Sequence, residues 1–169
     1  MGEDVFLSNN FARFLGITHI IVLATFVLTA WTPQLPLPLL VRRVFKSLPP
    51  KQEREVSSRV TPSYIMTTVL GSLMIGMLFA RSLHYQFYAY IAWATPFIMW
   101  KAQDNPLWIY LVWAAQEWGW NVFPSTEISS KVVVATLFIQ VFGLWIGTTF
   151  LSAKLQVEPE ERAKREHIE

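Results

Sequence analysis

Apolar and polar positions along the chain fall into long blocks rather than a fine alternation. About 20 consecutive apolar residues cross a bilayer as a helix. Runs of that kind lie at about residues 11–31, 62–80, 85–100 and 132–152. A further run, residues 106–123, is apolar in its first half, carries Gln116 and Glu117 inside, and is closed by Pro124. Pro62 suits a first helical position, where its missing N–H has no partner to lose. These blocks predict an all-α membrane protein of about five transmembrane helices. Residues 32–61 form the linker after the first span. Its start, "TPQLPLPLL", discourages a straight helix. "LPLLVRRVFKSL" then reads as an amphipathic helix lying on the membrane, and "PPKQEREVSSR" as a solvated linker. The tail, residues 153–169, is charged and expected to fray.

Composition sharpens this picture. Charged residues make up 15% of the 169 positions and hydrophobic ones 53%. Soluble domains carry about 25% charged residues. The charges here gather in the linker and the tail, leaving the apolar runs nearly bare. Eight Trp and five Tyr fit the interfacial belts of a bilayer. With no Cys, disulfide and thiolate chemistry are excluded. A net charge of +2 gives no footprint for nucleic acid. The start, "MGEDVFLSNN", lacks the basic region of a signal peptide and the Ser or Thr that would follow a myristoylated Gly2.

Charge then orients the spans. Crossing five times puts the linker, the "KAQDN" turn and the tail on one side, with eleven Lys and Arg against three (Arg13, Arg81, Lys131) on the other. The basic side is assigned to the cytosol. Two polar-aromatic stretches then converge on the opposite face: "RSLHYQFY", residues 81–88, and "WGWNVFPSTEISS", residues 118–130. Arg81, His84, Tyr85, Gln86 and Tyr88 offer groups for a phosphate and several hydroxyls, and the Arg fork suits phosphate best. Trp118 and Trp120 offer faces for a sugar or anchors at the interface, and Asn121, Ser125 and Thr126 offer hydrogen bonds. Glu117 is the only carboxylate inside an apolar run of this half, which makes it the one weak catalytic candidate.

Plainer readings stand beside these. Arg81 snorkels to the headgroups. Tyr88, Tyr90 and Trp93 belong to an aromatic belt, and His84 packs. His19 makes an interhelical hydrogen bond. Glu117 is neutral, or pairs with Arg81 or Lys131. Gly71 and Gly76 ease a helix contact, and "PSTEISS" is a turn and helix cap.

"ARSLHYQFY" followed some thirty residues later by "WNVFPST" resembles a known family. It is similar to the C-terminal part of the endoplasmic-reticulum mannosyltransferases that add an α-1,3-mannose to the dolichol-linked oligosaccharide of N-glycosylation. "FLSNNFARFLGITHIIVLATFVL", with its mid-span histidine, resembles the span that precedes. The resemblance runs from Phe6 to about Leu151 and is densest over residues 78–126. It implies a GT-C type fold and an active site facing the lumen. It also implies dolichyl-phosphate mannose as donor, Man5GlcNAc2-diphosphate-dolichol as acceptor, inversion at the anomeric carbon, and neither metal nor cofactor. On this resemblance Arg81 and His84 handle the donor phosphate. Tyr85, Gln86, Tyr88, Trp120 and Asn121 line the substrate pocket. Family members are more than twice as long, and the expected base, a luminal aspartate, lies in the half this chain lacks. The chain alone is therefore expected to be inactive. The alternative is a non-catalytic membrane protein, a lipid-binding or assembly subunit. A transporter would show paired repeats and midplane charges, and neither is seen.

Overall fold

The computed structural model describes residues 7–32, 45 and 49–166. Every regular element among the described residues is helical. The chain divides into two compact units, Met1–Arg81 and Ser82–Glu169. The amphipathic helix expected over residues 37–48 lies, apart from Phe45, outside the described residues.

In the first unit, α1 (Asn9–Phe26) begins at Ser8, whose hydroxyl accepts from the Phe11 N–H at 3.1 Å. It continues through a π-helical turn, Val27–Trp31. Hydroxyls inside an apolar helix need local acceptors. Thr18 and Thr25 donate to the carbonyls of Phe14 and Ile21 at 2.8 and 2.9 Å. Helix α2 (Pro50–Arg59) replaces the irregular linker expected there. Pro50 opens it and Glu53 sits in its first turn, where the helix dipole favours an acid. Its Glu53, Arg54, Ser57 and Ser58 are exposed, in keeping with the solvated character expected of this stretch.

Helix α3 (Pro62–Leu78) has Pro62 at its start and Thr61 as its cap. It packs on α1, and its buried residues are Thr67, Gly71, Met74 and Ile75. Tyr64 donates its hydroxyl to the Trp31 carbonyl at 3.3 Å. His19 stacks face to face on Phe79, centroids 6.1 Å apart, in place of the expected interhelical hydrogen bond. Gly71 is buried, while a Cβ on Gly76 would meet open space, so Gly76 eases no close contact.

The second unit stacks three helices: α4 (Tyr88–Ala102), α5 (Pro106–Asn121) and α6 (Glu127–Glu166). A 3₁₀ turn, Tyr85–Phe87, precedes α4, so the helix starts three residues later than the apolar run. Asn105 caps α5 by accepting from the Leu107 N–H at 3.0 Å, with Pro106 in the first turn. Helix α6 starts five residues earlier than its apolar run. The Thr126 N–H donates to the Ser129 hydroxyl at 2.9 Å and the Ser129 N–H to the Thr126 hydroxyl at 3.1 Å. This reciprocal cap nucleates the helix inside a polar stretch, and it bears out the reading of "PSTEISS" as a turn and cap. The tail stays helical to Glu166 rather than fraying. Lengthening an existing helix needs no new nucleus, and most tail residues are good helix formers, the interior Pro159 being the exception.

The core of this unit follows helical spacing: Ile91, Thr95 and Ile98 on α4, Val112, Gln116 and Gly119 on α5, and Val133, Leu137, Gln140 and Leu144 on α6. Close approach is set by glycines. A Cβ on Gly147 would overlap the Lys101 carbonyl oxygen and lie 3.0 Å from Ala102 Cα, while one on Gly143 would lie 3.0 Å from Ala102 Cβ. The GxxxG pair that draws α4 onto α6 is thus Gly143 and Gly147.

Among the described residues, two helices, Asn9–Trp31 and Glu127–Phe150, are long and apolar enough to cross a membrane. The others are shorter, at 17, 15 and 16 residues for α3, α4 and α5.

Candidate functional site

The motif "RSLHYQFY" falls where α3 has ended and α4 has not begun. Arg81 is the last residue of the first unit and is exposed. The remaining candidates belong to the second unit. His84 is extended and exposed, with its Nε2 at 3.5 Å from the Ser82 hydroxyl. Its ring lies 6.2 Å from Phe87. Gln86 is exposed on the 3₁₀ turn.

The tight turn over residues 85–87 brings Tyr85 and Tyr88 around to one side, 6.0 Å between ring centroids. Both meet Trp120, from the last turn of α5. Tyr88 lies 5.6 Å from it, tilted by 33°, and Tyr85 lies 6.4 Å away edge-on. Such offset and edge contacts contribute about 0.5–1.5 kcal/mol beyond burial. The two motifs are joined here by aromatic rings. The indole N–H of Trp120 is buried and has no acceptor among the described residues.

Asn121 turns away from this cluster. Its amide donates to the Glu117 carbonyl at 2.8 Å and to the Glu117 carboxylate at 3.0 Å. The partner of Glu117 is thus its own helix neighbour rather than Lys131, which pairs with Glu127 at 2.6 Å. Glu117 is half-buried. The structure therefore brings Tyr85, Tyr88 and Trp120 together and sets Glu117 and Asn121 beside them as a separate pair.

Below the ring cluster lies a feature that sequence reading passed over. Gln116 donates from Nε2 to Thr95 Oγ1 at 3.0 Å, and Thr95 donates to the Ile91 carbonyl at 2.8 Å. Gln140 donates from its amide to Gln116 Oε1. All three are essentially fully buried, at 0–1% exposure, so one hydrogen-bonded layer ties α4, α5 and α6 together. Bonds of this kind between membrane helices contribute about 0.6–2 kcal/mol each. The signal was present: one Gln lies on the buried face of each of two apolar runs, where a polar residue needs a partner.

Comparison with known proteins carries the question further. The sequence profile of the ALG3 protein family matches residues 1–130, which include both motifs. The chain belongs to the ALG3 family. A Neurospora crassa relative, Dol-P-Man:Man(5)GlcNAc(2)-PP-Dol alpha-1,3-mannosyltransferase, is 48% identical over 157 residues, 87% of this chain and 35% of that protein. Proteins of the same name from Arabidopsis thaliana and Homo sapiens are 30% and 32% identical. They are matched by 95% and 86% of this chain and over 38% and 33% of their own length. The chain thus spans about a third of the length of the curated ALG3 relatives it matches. No solved structure matches it.

Proposed function

We propose that this chain is the C-terminal part of an α-1,3-mannosyltransferase of the endoplasmic-reticulum membrane. The enzyme transfers mannose from dolichyl-phosphate mannose to Man5GlcNAc2-diphosphate-dolichol during lipid-linked oligosaccharide assembly. The observation that carries this reading is the 48% identity, over 87% of the chain, to a relative of that name. In this reading the five apolar helices cross the membrane as part of a GT-C type fold. The three short ones, at about 1.5 Å rise per residue, are matched to the bilayer by their flanking aromatic and basic residues. Lys101 supports this for α4. It closes the helix with its ammonium 5.2 Å over the Trp100 ring, a snorkelling pose for an interface.

Both motifs face the lumen. An acceptor hydroxyl attacks the anomeric carbon of the donor mannose with inversion. The bond from that carbon to the phosphate oxygen breaks, its electron pair leaving on dolichyl phosphate. The hydroxyl proton passes to a base in the remainder of the enzyme, since Glu117 is committed to Asn121. Arg81 offsets the charge growing on the phosphate, with His84 alongside. Tyr85, Gln86, Tyr88 and Trp120 line the pocket.

The experiment places this chain in the Neurospora crassa relative in place of the matching third, and follows mannose transfer in microsomes. Removing a group that stabilises transition-state charge costs about 100-fold in rate. Arg81→Ala is expected to lower transfer on that scale at matched abundance. Arg81→Lys is expected to recover part of it, because a point charge lacks the fork geometry. Unchanged transfer in Arg81→Ala eliminates the phosphate role.

A further inference from the structure

The buried layer of Thr95, Gln116 and Gln140 lies outside the candidate pocket, and none of its members faces a substrate. Its placement is nonetheless particular. Gln116 precedes Trp120 by four residues on α5, one turn away on the same face. Thr95 follows Tyr88 by seven residues on α4, two turns away on the same face. The bond between Gln116 and Thr95, at 3.0 Å, therefore joins the same two helices, on the same faces, as the ring contact of Tyr88 with Trp120 at 5.6 Å.

Apolar packing alone does not fix this relation. Dispersion contacts are non-directional, and lipid offers a helix the same apolar surroundings as its neighbours do. A hydrogen bond between fully buried groups is directional, and breaking it leaves a buried polar group unpaired. It therefore resists both rotation of α5 and sliding along α4. Gln140 contributes differently: it donates from α6, which carries neither ring, to Gln116 Oε1, an atom that also lies 3.3 Å from Thr95 Oγ1.

We propose that Gln116, through Thr95, is a positioning residue that sets the rotation and height of α5 so that Trp120 meets Tyr88. The proposal rests on the reading that these two rings line the substrate pocket. It predicts an asymmetry within one polar layer. Breaking the α4–α5 arm moves the rings. Breaking the α6 arm lowers stability and leaves them in place.

The test uses the 169-residue chain in phosphatidylcholine nanodiscs, with labelled Trp indoles and Tyr rings. NMR then reads the cross-peaks between Tyr88 and Trp120, and circular dichroism reads helix content and unfolding. Gln116→Leu and Thr95→Val are expected to lose the Tyr88–Trp120 cross-peaks at unchanged helix content. Gln140→Leu is expected to lower the unfolding temperature and keep them. Thr95→Val preserves side-chain volume and decides the matter alone if Gln116→Leu does not fold. Cross-peaks retained in Thr95→Val, or lost equally in all three variants, overturn the proposal and leave the layer as packing only.

The same variants in the Neurospora crassa chimera separate the two claims. Rings displaced and transfer reduced support both. Rings displaced with transfer unchanged support positioning and remove the rings from the pocket. Rings unmoved overturn positioning, whatever transfer does.

Discussion

Trp120 packs against two tyrosines yet keeps its indole N–H buried without an acceptor among the described residues. An unsatisfied buried donor costs about 1–3 kcal/mol. Trp120→Phe removes that cost and keeps an aromatic face. It is expected to leave the unfolding temperature of the ligand-free chain unchanged or raised, read by circular dichroism in one detergent. Trp120→Ala is expected to lower it, with a stability loss smaller than the about 3–5 kcal/mol of a fully buried Trp, since this residue is partly exposed. A marked loss in Trp120→Phe would show that the N–H is already satisfied. At this scale the sequence reading named Tyr85, Tyr88 and Trp120, whose rings meet in the second unit, along with residues that do not join them. It did not reveal their pairing. Asn121 and Glu117 stand four apart on a helix, a spacing that allows a bond, but nothing in residue type said that the carboxylate would take Asn121 over Lys131.

Elements were legible where apolar runs are bounded by strong local signals. Pro62 and Pro106 mark the first turns of α3 and α5, and both helices begin where those residues say. Boundaries failed where polar residues make their own helical signal. The Thr126–Ser129 cap starts α6 inside a stretch that hydropathy alone assigns to a loop. Losing such a cap costs about 1 kcal/mol, so Thr126→Ala is expected to destabilise the second unit by that amount and to fray residues 127–131, visible as faster amide exchange. Helix contacts were less legible still. Gly71 and Gly76 drew notice, yet the tight crossing is at Gly143 and Gly147, because only the fold shows which helix face meets a backbone. Gly147→Ala forces a methyl into the Lys101 carbonyl, which cannot swing aside as a side chain can. It is expected to cost about 1–3 kcal/mol or more, and Gly143→Ala less, both read from thermal unfolding. Equal stability of Gly147→Ala and the parent would contradict the close packing of α4 on α6.

For the whole molecule, the all-helical character of the described residues was legible from block hydropathy. Two of the five expected spans stand out by length and composition in the structure, and the family match adds the rest as a proposal. The proposed luminal face of the motifs rests on charge bias and on the family resemblance. Because the chain has no Cys, a single introduced one reports its side directly. In sealed microsomes, an impermeant maleimide is expected to label Ser57→Cys at once and Ser125→Cys only after permeabilisation. The reverse pattern would invert the topology and remove the pocket from the lumen.

The activity itself is tested most directly by mannose transfer in the chimera that carries this chain within the Neurospora crassa relative, in microsomes lacking any other such enzyme. Supplied with dolichyl-phosphate mannose, the account predicts that Man5GlcNAc2-diphosphate-dolichol gains one α-1,3-linked mannose. An acceptor left unextended, with the chimera at normal abundance and correctly inserted, would contradict it.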